Sequence, residues 1–512
     1  MKRYGLYIAV LIAVLPIIIL RDYTPDNELR YLSIADEALS NGNIFAFYNQ
    51  GIPYADKPPL YIWIVMLGKL IFSTHRMWFL SLFSLIPAFV ITDIMDRWTA
   101  DEIRPRYRLA ARLMMLSCGL FIGLGLVLRM DMLMCMFIVL ALHSFLKMHH
   151  SGKYSLLFPI YVFMAVFSKG PVGILVPLLC TIIFLIINKD ARAIGRYWGW
   201  KTWGVLLVLC ALWFGAAYAE GGYAYIDNLL FHQTIDRAVN SFHHEEPFWY
   251  YLVSVWYSLM PWAFAVIGMI IFAAVKRQVT SETERFFLTV IVTTFVMLSV
   301  ISSKIAVYLA PTFPFFIYLG AIYLFRTGWN KWKALSLCIP FAVFALSLPV
   351  IMILSGRPDT AFLSQTGFYI AAGILSAAGI IALFRLYKNK DMNSAITTLA
   401  AGLFAAIFAG GWSVPKINSE IGYGALCRTA SMAAEENGTE GFCVWKISRP
   451  ENMDVYLGQD IRKVTKEDIT SGTLKNTILM LPAKRTGEIA GPLTDNCKRY
   501  DIGRYSIIVL QN

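Results

Sequence analysis

The chain has 512 residues, 57% of them apolar and 15% charged, and a mean hydropathy of +0.58. That composition excludes a secreted disulfide scaffold, a disordered chain and an ordinary cytosolic enzyme, in which roughly a quarter of residues are charged. The net charge of +12, from 45 basic and 33 acidic residues, would suggest nucleic acid as a partner of a soluble protein; here a membrane reading comes first and no nucleic acid is expected.

A bilayer core takes about 20 mostly apolar residues per helix. Stretches of that kind run from the N-terminus to about residue 412, and thirteen spans are predicted: 4–20, 77–95, 110–127, 132–148, 155–168, 171–187, 203–219, 251–274, 285–301, 309–325, 334–354, 367–386 and 394–412. The first resembles a signal peptide, but Ile17-Ile18-Ile19-Leu20-Arg21-Asp22 offers no small-residue cleavage site, so it is expected to stay as a span. Leu60–Phe72 is too short to cross and is expected at the interface, anchored by Tyr61 and Trp63. With the N-terminus inside, 22 basic residues fall on the cytoplasmic side and ten on the other, before the tail; this bias sets the orientation. An odd number of spans then places the tail outside, and the long outer loops are 21–76 and 220–250.

Residues 413–512 are closer to soluble composition. Gly441–Ile447, Thr477–Leu481 and Tyr505–Leu510 read as strands and Ala425–Glu436 as a helix, giving a small C-terminal α/β domain. Cys427, Cys443 and Cys497 lie there, where a disulfide is permitted; the other five cysteines sit in or beside apolar spans as packing residues. The expected fold is therefore a polytopic α-helical membrane domain, 1–412, followed by an α/β domain, 413–512.

Transporters that use charge place it mid-span. Here mid-span charge is nearly absent, and unusual residues gather at the outer ends of spans and in the outer loops. The first loop carries Asp26-Asn27-Glu28-Leu29-Arg30-Tyr31, then Gly51-Ile52-Pro53-Tyr54-Ala55-Asp56-Lys57-Pro58-Pro59-Leu60. Further along come Arg129-Met130-Asp131, Phe167-Ser168-Lys169-Gly170-Pro171, His243-His244-Glu245-Glu246-Pro247-Phe248-Trp249, Pro261-Trp262 and Ser303-Lys304-Ile305-Ala306-Val307-Tyr308. This ordered series, covering most of residues 1–330, resembles the membrane glycosyltransferases of the aminoarabinose lipid A transferase and protein O-mannosyltransferase type, in the GT-C superfamily. One departure is visible. The family usually has Asp-Glu-x-Arg-Tyr, whereas Asn27 stands three residues before Arg30 in this chain. Either Asp26 takes the catalytic position after a one-residue insertion or Glu28 does; Asp26 is favoured.

The resemblance implies an inverting glycosyltransferase that moves a sugar from a polyprenyl (undecaprenyl) phosphate to a lipid A-like or other cell-envelope acceptor at the periplasmic face of a bacterial inner membrane. A phosphate leaving group gains negative charge as the glycosidic bond breaks, so cations and donors must meet it in a site with little water. Arg30, Tyr54, Lys57, Arg129, Lys169, Lys304 and Tyr308 are the candidates for that task. Asp26 or Glu28, with Asp131 nearby, is the candidate proton acceptor if the acceptor is a hydroxyl. Asp56 and His244, with His243 as substitute, are the candidate ligands of a divalent ion such as zinc or manganese; no nucleotide cofactor is expected. Competing readings are a protein O-glycosyltransferase of the same architecture and, from another class, a transporter of lipid-linked sugars. The latter would need polar mid-membrane helices and repeat symmetry, and neither is evident.

Overall fold

In lipid every backbone N–H and C=O must find a partner within the protein, which makes helices the only economical use of such apolar runs. The computed structural model describes residues 3–230, 245–439, 441–471, 474–489 and 497–510, and it is mostly helical. Among the described residues seven helical stretches are long and apolar enough to cross a membrane, or nine if two bent pairs each make one span. The bent pairs are Pro105–Leu116 with Gly119–Leu126, at 62°, and Lys331–Ala345 with Ser347–Ser355, at 40°.

The other expected spans fall on shorter apolar helices, and the sequence explains why they are short. Pro261 divides the expected span 251–274 into Tyr250–Ser258 and Ala263–Val275. Gly170, at φ +100°, and Pro171 divide Leu157–Lys169 from Val172–Ile187. That backbone is outside the range of other residues, so glycine is required at 170. Leu60–Phe72 is a helix over the expected range, with the Trp63 indole donating to the Ile44 carbonyl at 2.6 Å.

Two buried carboxylates at other helix ends are paired. Asp96, 3% exposed, meets Arg108 at 2.6 Å and Arg112 at 3.6 Å. Glu284 is fully buried against Arg326 and accepts from the Tyr323 hydroxyl at 3.0 Å.

The C-terminal part holds a five-stranded sheet in the order β4-β3-β5-β7-β6. These strands are β3 (Gly441–Val444), β4 (Arg462–Lys463), β5 (Thr477–Pro482), β6 (Arg499–Ile502) and β7 (Tyr505–Leu510). β3 runs parallel to β4 and β5, whereas β7 is antiparallel to β5 and β6. β1 (Tyr48–Asn49) and β2 (Ile52–Pro53) form a hairpin in the first outer loop. The Gly424–Asn437 helix matches the expected one, and Cys427 and Cys443 are free thiols.

Strand side chains alternate between faces. On β5 and β7, Ile478, Met480, Ile507 and Val509 face one core, and Leu479, Leu481, Ile508 and Leu510 face a smaller one. The first core continues without a break into Leu29, Leu32, Tyr61 and Val65 of the outer loop. The sheet and the first loop therefore share an interior.

Candidate active site

The first loop is fastened at several points before any chemistry is considered. Asp22, just beyond the first apolar helix, receives the Gly424 N–H at 2.7 Å and the Tyr456 hydroxyl. Its own N–H donates to Asn418 Oδ1 at 3.0 Å. Ser33 donates to Asp454 at 2.7 Å and Asn452 donates to the Pro25 carbonyl at 2.9 Å. On another side, one carboxylate oxygen of Glu220 accepts the N–H groups of Ile44, Phe45 and Ala46 at 2.6–3.0 Å. Tyr225 adds to this anchor, accepting from Phe47 N at 3.1 Å and donating to the Tyr54 carbonyl at 3.2 Å.

Glu28 is 1% exposed and accepts four hydrogen bonds. Two come from the Arg21 guanidinium at 2.6 and 2.7 Å, one from Thr24 N at 2.7 Å and one from Leu128 N at 2.8 Å. A carboxylate has about four acceptor sites, so its capacity is filled. The bond to Leu128 also locates the Leu128–Asp131 turn against the first loop, which brings the Arg129-Met130-Asp131 motif beside Arg30 and Tyr31.

Asp131 begins the Asp131–Ser151 helix and is 1% exposed. It pairs with Lys169, at the end of the Leu157–Lys169 helix, and with Arg129 at 2.9 Å. Lys169 Nζ also lies 4.8 Å from the centre of the Tyr308 ring, in cation–π range. Two cations thus share one buried carboxylate, leaving an excess of positive charge where the ends of two membrane helices meet the outer loop.

Tyr31 feels the charges of Arg129, Asp131, Arg30 and Asp56, and its ring meets Tyr61 edge-on at 5.3 Å. Burial raises the titration of the Tyr31 phenol. Tyr54 is raised by burial and by its neighbours Tyr31 and Asp56, against the guanidinium of Arg30, which donates to it. Both phenols therefore stay protonated at neutral pH.

The structure brings together Arg30, Tyr54, Asp56, Arg129, Asp131, Lys169 and Tyr308 of the residues expected from sequence. Lys57 is half-buried just before Pro58 and Pro59, which lead into the Leu60–Phe72 helix. Lys304 is 5% exposed and donates to the Glu246 carbonyl at 2.8 Å, so it ties the end of the second outer loop to the segment before Tyr308. Asp26 is exposed in a separate crevice with Tyr423, Lys446 and Arg504 of the C-terminal part. His243 and His244 lie outside the described residues. Among the described residues no group of three or more His, Cys, Asp or Glu side chains could hold a metal ion, and Asp56 is the one expected ligand among them.

Sequence reasoning did not single out Tyr31, Glu220 or the C-terminal residues, and it read Tyr61 only as an interfacial anchor. Tyr31 lay inside the quoted motif, and Tyr61 within an interfacial helix where an anchor role sufficed. Glu220 carried no signal beyond its place at the start of a long loop.

No protein-family model matches the chain. It is similar to the undecaprenyl phosphate-alpha-4-amino-4-deoxy-L-arabinose arabinosyl transferase of Aeromonas hydrophila, 22% identical over 84% of this chain and 81% of the relative. The enzyme of that name from Edwardsiella ictaluri is 26% identical over 61% of this chain, and the match spans only 57% of that relative's length. Among solved structures, ArnT from Cupriavidus metallidurans bound to undecaprenyl phosphate superposes with a TM-score of 0.77 at 16% identity, covering 99% of both chains. The same protein in the apo state gives 0.75. At that identity the superposition speaks for the fold.

Proposed function

From its likeness in sequence and fold to the aminoarabinose transferases of the GT-C superfamily, we propose that the chain is an inverting glycosyltransferase. It moves a sugar from an undecaprenyl-phosphate donor to a lipid A-type or other cell-envelope acceptor. The observation that carries this reading is the buried Arg129–Asp131–Lys169 cluster beside Tyr308 and the first outer loop, in a fold that superposes on a protein solved with undecaprenyl phosphate.

In the reaction the bond between the anomeric carbon and the phosphate oxygen breaks, and the oxygen keeps the electron pair. An acceptor oxygen attacks from the opposite face, which inverts the centre. Lys169, Arg129, Arg30 and Lys57 offset the charge that develops on the phosphate, and Tyr54 and Tyr308 donate to or border it. These groups are fixed in advance by Asp131 and by the loop anchors, so little reorganisation accompanies the charge shift. Lys304 belongs to the same phosphate-facing set. Of the two carboxylates near the motif, Glu28 has its lone pairs committed and Asp26 opens on a separate crevice, so the proposal that Asp26 takes the proton of a hydroxyl acceptor rests on the resemblance and is tested by substitution. An acceptor that attacks as an ionised phosphate needs no base.

The same proposal includes thirteen spans, an inner-membrane location with the N-terminus cytoplasmic, and residues 413–512 as a periplasmic domain. The excess of basic residues in the inner loops supports that orientation. Asp56 and His244, or His243, form the proposed divalent-ion site, tested by metal analysis of purified protein and by activity after chelation.

The decisive assay incubates the purified protein with labelled undecaprenyl-phosphate sugars and membrane extract. Wild-type transfer with loss in Lys57→Ala and Asp26→Asn is expected. Wild-type rates in both variants would sink the site assignment, and label recovered on protein rather than lipid would move the acceptor class. Cysteine labelling of the tail from the cytoplasmic side alone would overturn the orientation.

A further inference from the structure

A second cavity, of about 470 Å³, opens beside the reacting cluster, between the first outer loop and the C-terminal part. Arg30, Tyr54 and Asp56 form one wall, and Arg449, Glu451 and Lys463 form the facing one. Two segments remote in sequence meet there by construction. Glu37 receives the N–H groups of Gln50 at 2.6 Å and Gly51 at 2.9 Å, which fixes the tip of the β1–β2 hairpin. The Gln50 side chain then donates to the Glu451 carbonyl at 3.1 Å, closing hairpin onto domain.

The facing wall is pre-set. Lys463, on β4, pairs with Glu451 at 2.8 Å, and Arg449 lies 3.7 Å from the same carboxylate. Burial opposes ionisation of Glu451, but these two cations prevail and hold its carboxyl below the usual range. Arg449 is in the left-handed region, at φ +49° and ψ +44°, directly before Pro450. A bulky residue keeps such a conformation only where its surroundings enforce it. The cavity thus presents three cations, Arg30, Arg449 and Lys463, against two carboxylates, Asp56 and Glu451, and the side chains of Arg449 and Lys463 remain more than half exposed.

We infer that this cavity is the acceptor's headgroup site, in which Arg449 and Lys463 of the C-terminal part bind a phosphate carried by a glycolipid acceptor. The inference rests on the glycosyltransferase reading and deepens it. A prenyl-phosphate donor needs apolar surface next to its phosphate for the lipid chain, and this cavity offers only Ile52, Pro53 and Ala55. A polar headgroup is the occupant that fits. Its position follows as well: Arg30 and Asp56 act both on this cavity and on Tyr31, and Tyr31 in turn feels Arg129 and Asp131. A headgroup held here therefore places its attacking oxygen next to the donor phosphate cluster. Arg449 and Lys463 are positioning residues, since they bind a part of the acceptor that does not react.

The test uses the full-length protein in nanodiscs, with bis-phosphorylated lipid A and its phosphatase-treated form as probes. Binding of each probe, binding of undecaprenyl phosphate, and sugar transfer are measured separately for wild type and Arg449→Ala/Lys463→Ala. Loss of two charge-assisted contacts should weaken binding of bis-phosphorylated lipid A by about tenfold to a hundredfold. Undecaprenyl phosphate should bind unchanged, and the treated probe should bind wild type and variant alike. Arg449→Lys should restore much of the affinity. Equal affinity of wild type and variant for bis-phosphorylated lipid A overturns the site, even where wild type transfers sugar. A charge-dependent loss of binding sustains the site, and where wild type then transfers no sugar it is the glycosyltransferase reading that falls.

Discussion

Replacing Asp131 by Asn removes the one carboxylate shared by Lys169 and Arg129. The side chain is 1% exposed and Lys169 is 10% exposed, so water cannot replace the lost partner at Lys169. Arg129 is 26% exposed and can turn toward solvent. Removing one member of a buried pair costs about 3–5 kcal/mol, mostly as the stranded charge of its partner. The expected loss is therefore at the lower end of that range, and it falls on Lys169. The double variant Asp131→Leu/Lys169→Met removes both buried charges and should recover most of the stability, because an apolar pair of similar volume is often as stable as the ion pair it replaces. The assay is a thermal or denaturant melt in detergent, run as a double-mutant cycle. Transfer activity should fall in both variants, since both lack a placed Lys169. A single-variant loss below about 1 kcal/mol, or a double variant that is simply additive, would refute the argument that this is a buried, mutually dependent pair.

Three further outcomes follow from other parts of the molecule. The Asp454 carboxyl is raised to about 6, chiefly by burial and further by Asp36 and Asp460, against the Ser33 hydrogen bond. Its ionisation thus opposes the native state: the penalty is absent below the unfolded value of 3.8 and complete above about pH 6, a difference of about 2–3 kcal/mol. Asp454→Asn should raise the melting temperature near pH 7.5 and give no gain near pH 4, and a gain equal at both would refute the assignment. At Gly422 an added methyl would overlap the Tyr23 carbonyl oxygen, which no rotamer change relieves. Gly422→Ala should cost about 1–3 kcal/mol and expose the C-terminal part to protease; an unchanged digestion pattern would count against this packing. Glu220→Gln weakens three contacts of a solvent-facing carboxylate, so about 1 kcal/mol is expected, seen as faster amide exchange at Ile44, Phe45 and Ala46. Unaltered exchange there would mean that the loop is held by Tyr225 alone.

Much of the cluster was legible in the sequence from the expected topology. In that topology Arg30, Tyr54, Asp56, Arg129, Asp131, Lys169 and Tyr308 all sit in outer loops or at outer span ends, which places them on one side. What was not legible depends on partners far away in the chain. The acid in an Asp-x-Glu motif reads as chemistry, yet Glu28 is engaged by Arg21 and by Leu128, a hundred residues on. The strands at Gly441, Thr477 and Tyr505 were visible from their apolar runs, whereas Arg462–Lys463 has two residues and no pattern to detect. Hydropathy marks thirteen apolar runs but cannot say which of them bend or stop short at Pro261 or Gly170. Those interruptions rest on single residues, and window averages pass over them.

The bonds between Asp22 and the far end of the chain also bear on biogenesis. Asp22 waits for Asn418, Gly424 and Tyr456, partners 396 to 434 residues downstream. At synthesis rates of about 5–20 residues per second, the first loop is made roughly twenty to ninety seconds before its fasteners exist. During that interval Leu29, Leu32, Tyr61 and Val65 lack half of their core. Closure of the first loop onto the C-terminal part is then the last step of assembly, and a ribosome that stalls anywhere in the apolar region leaves a chain whose first loop has no partner.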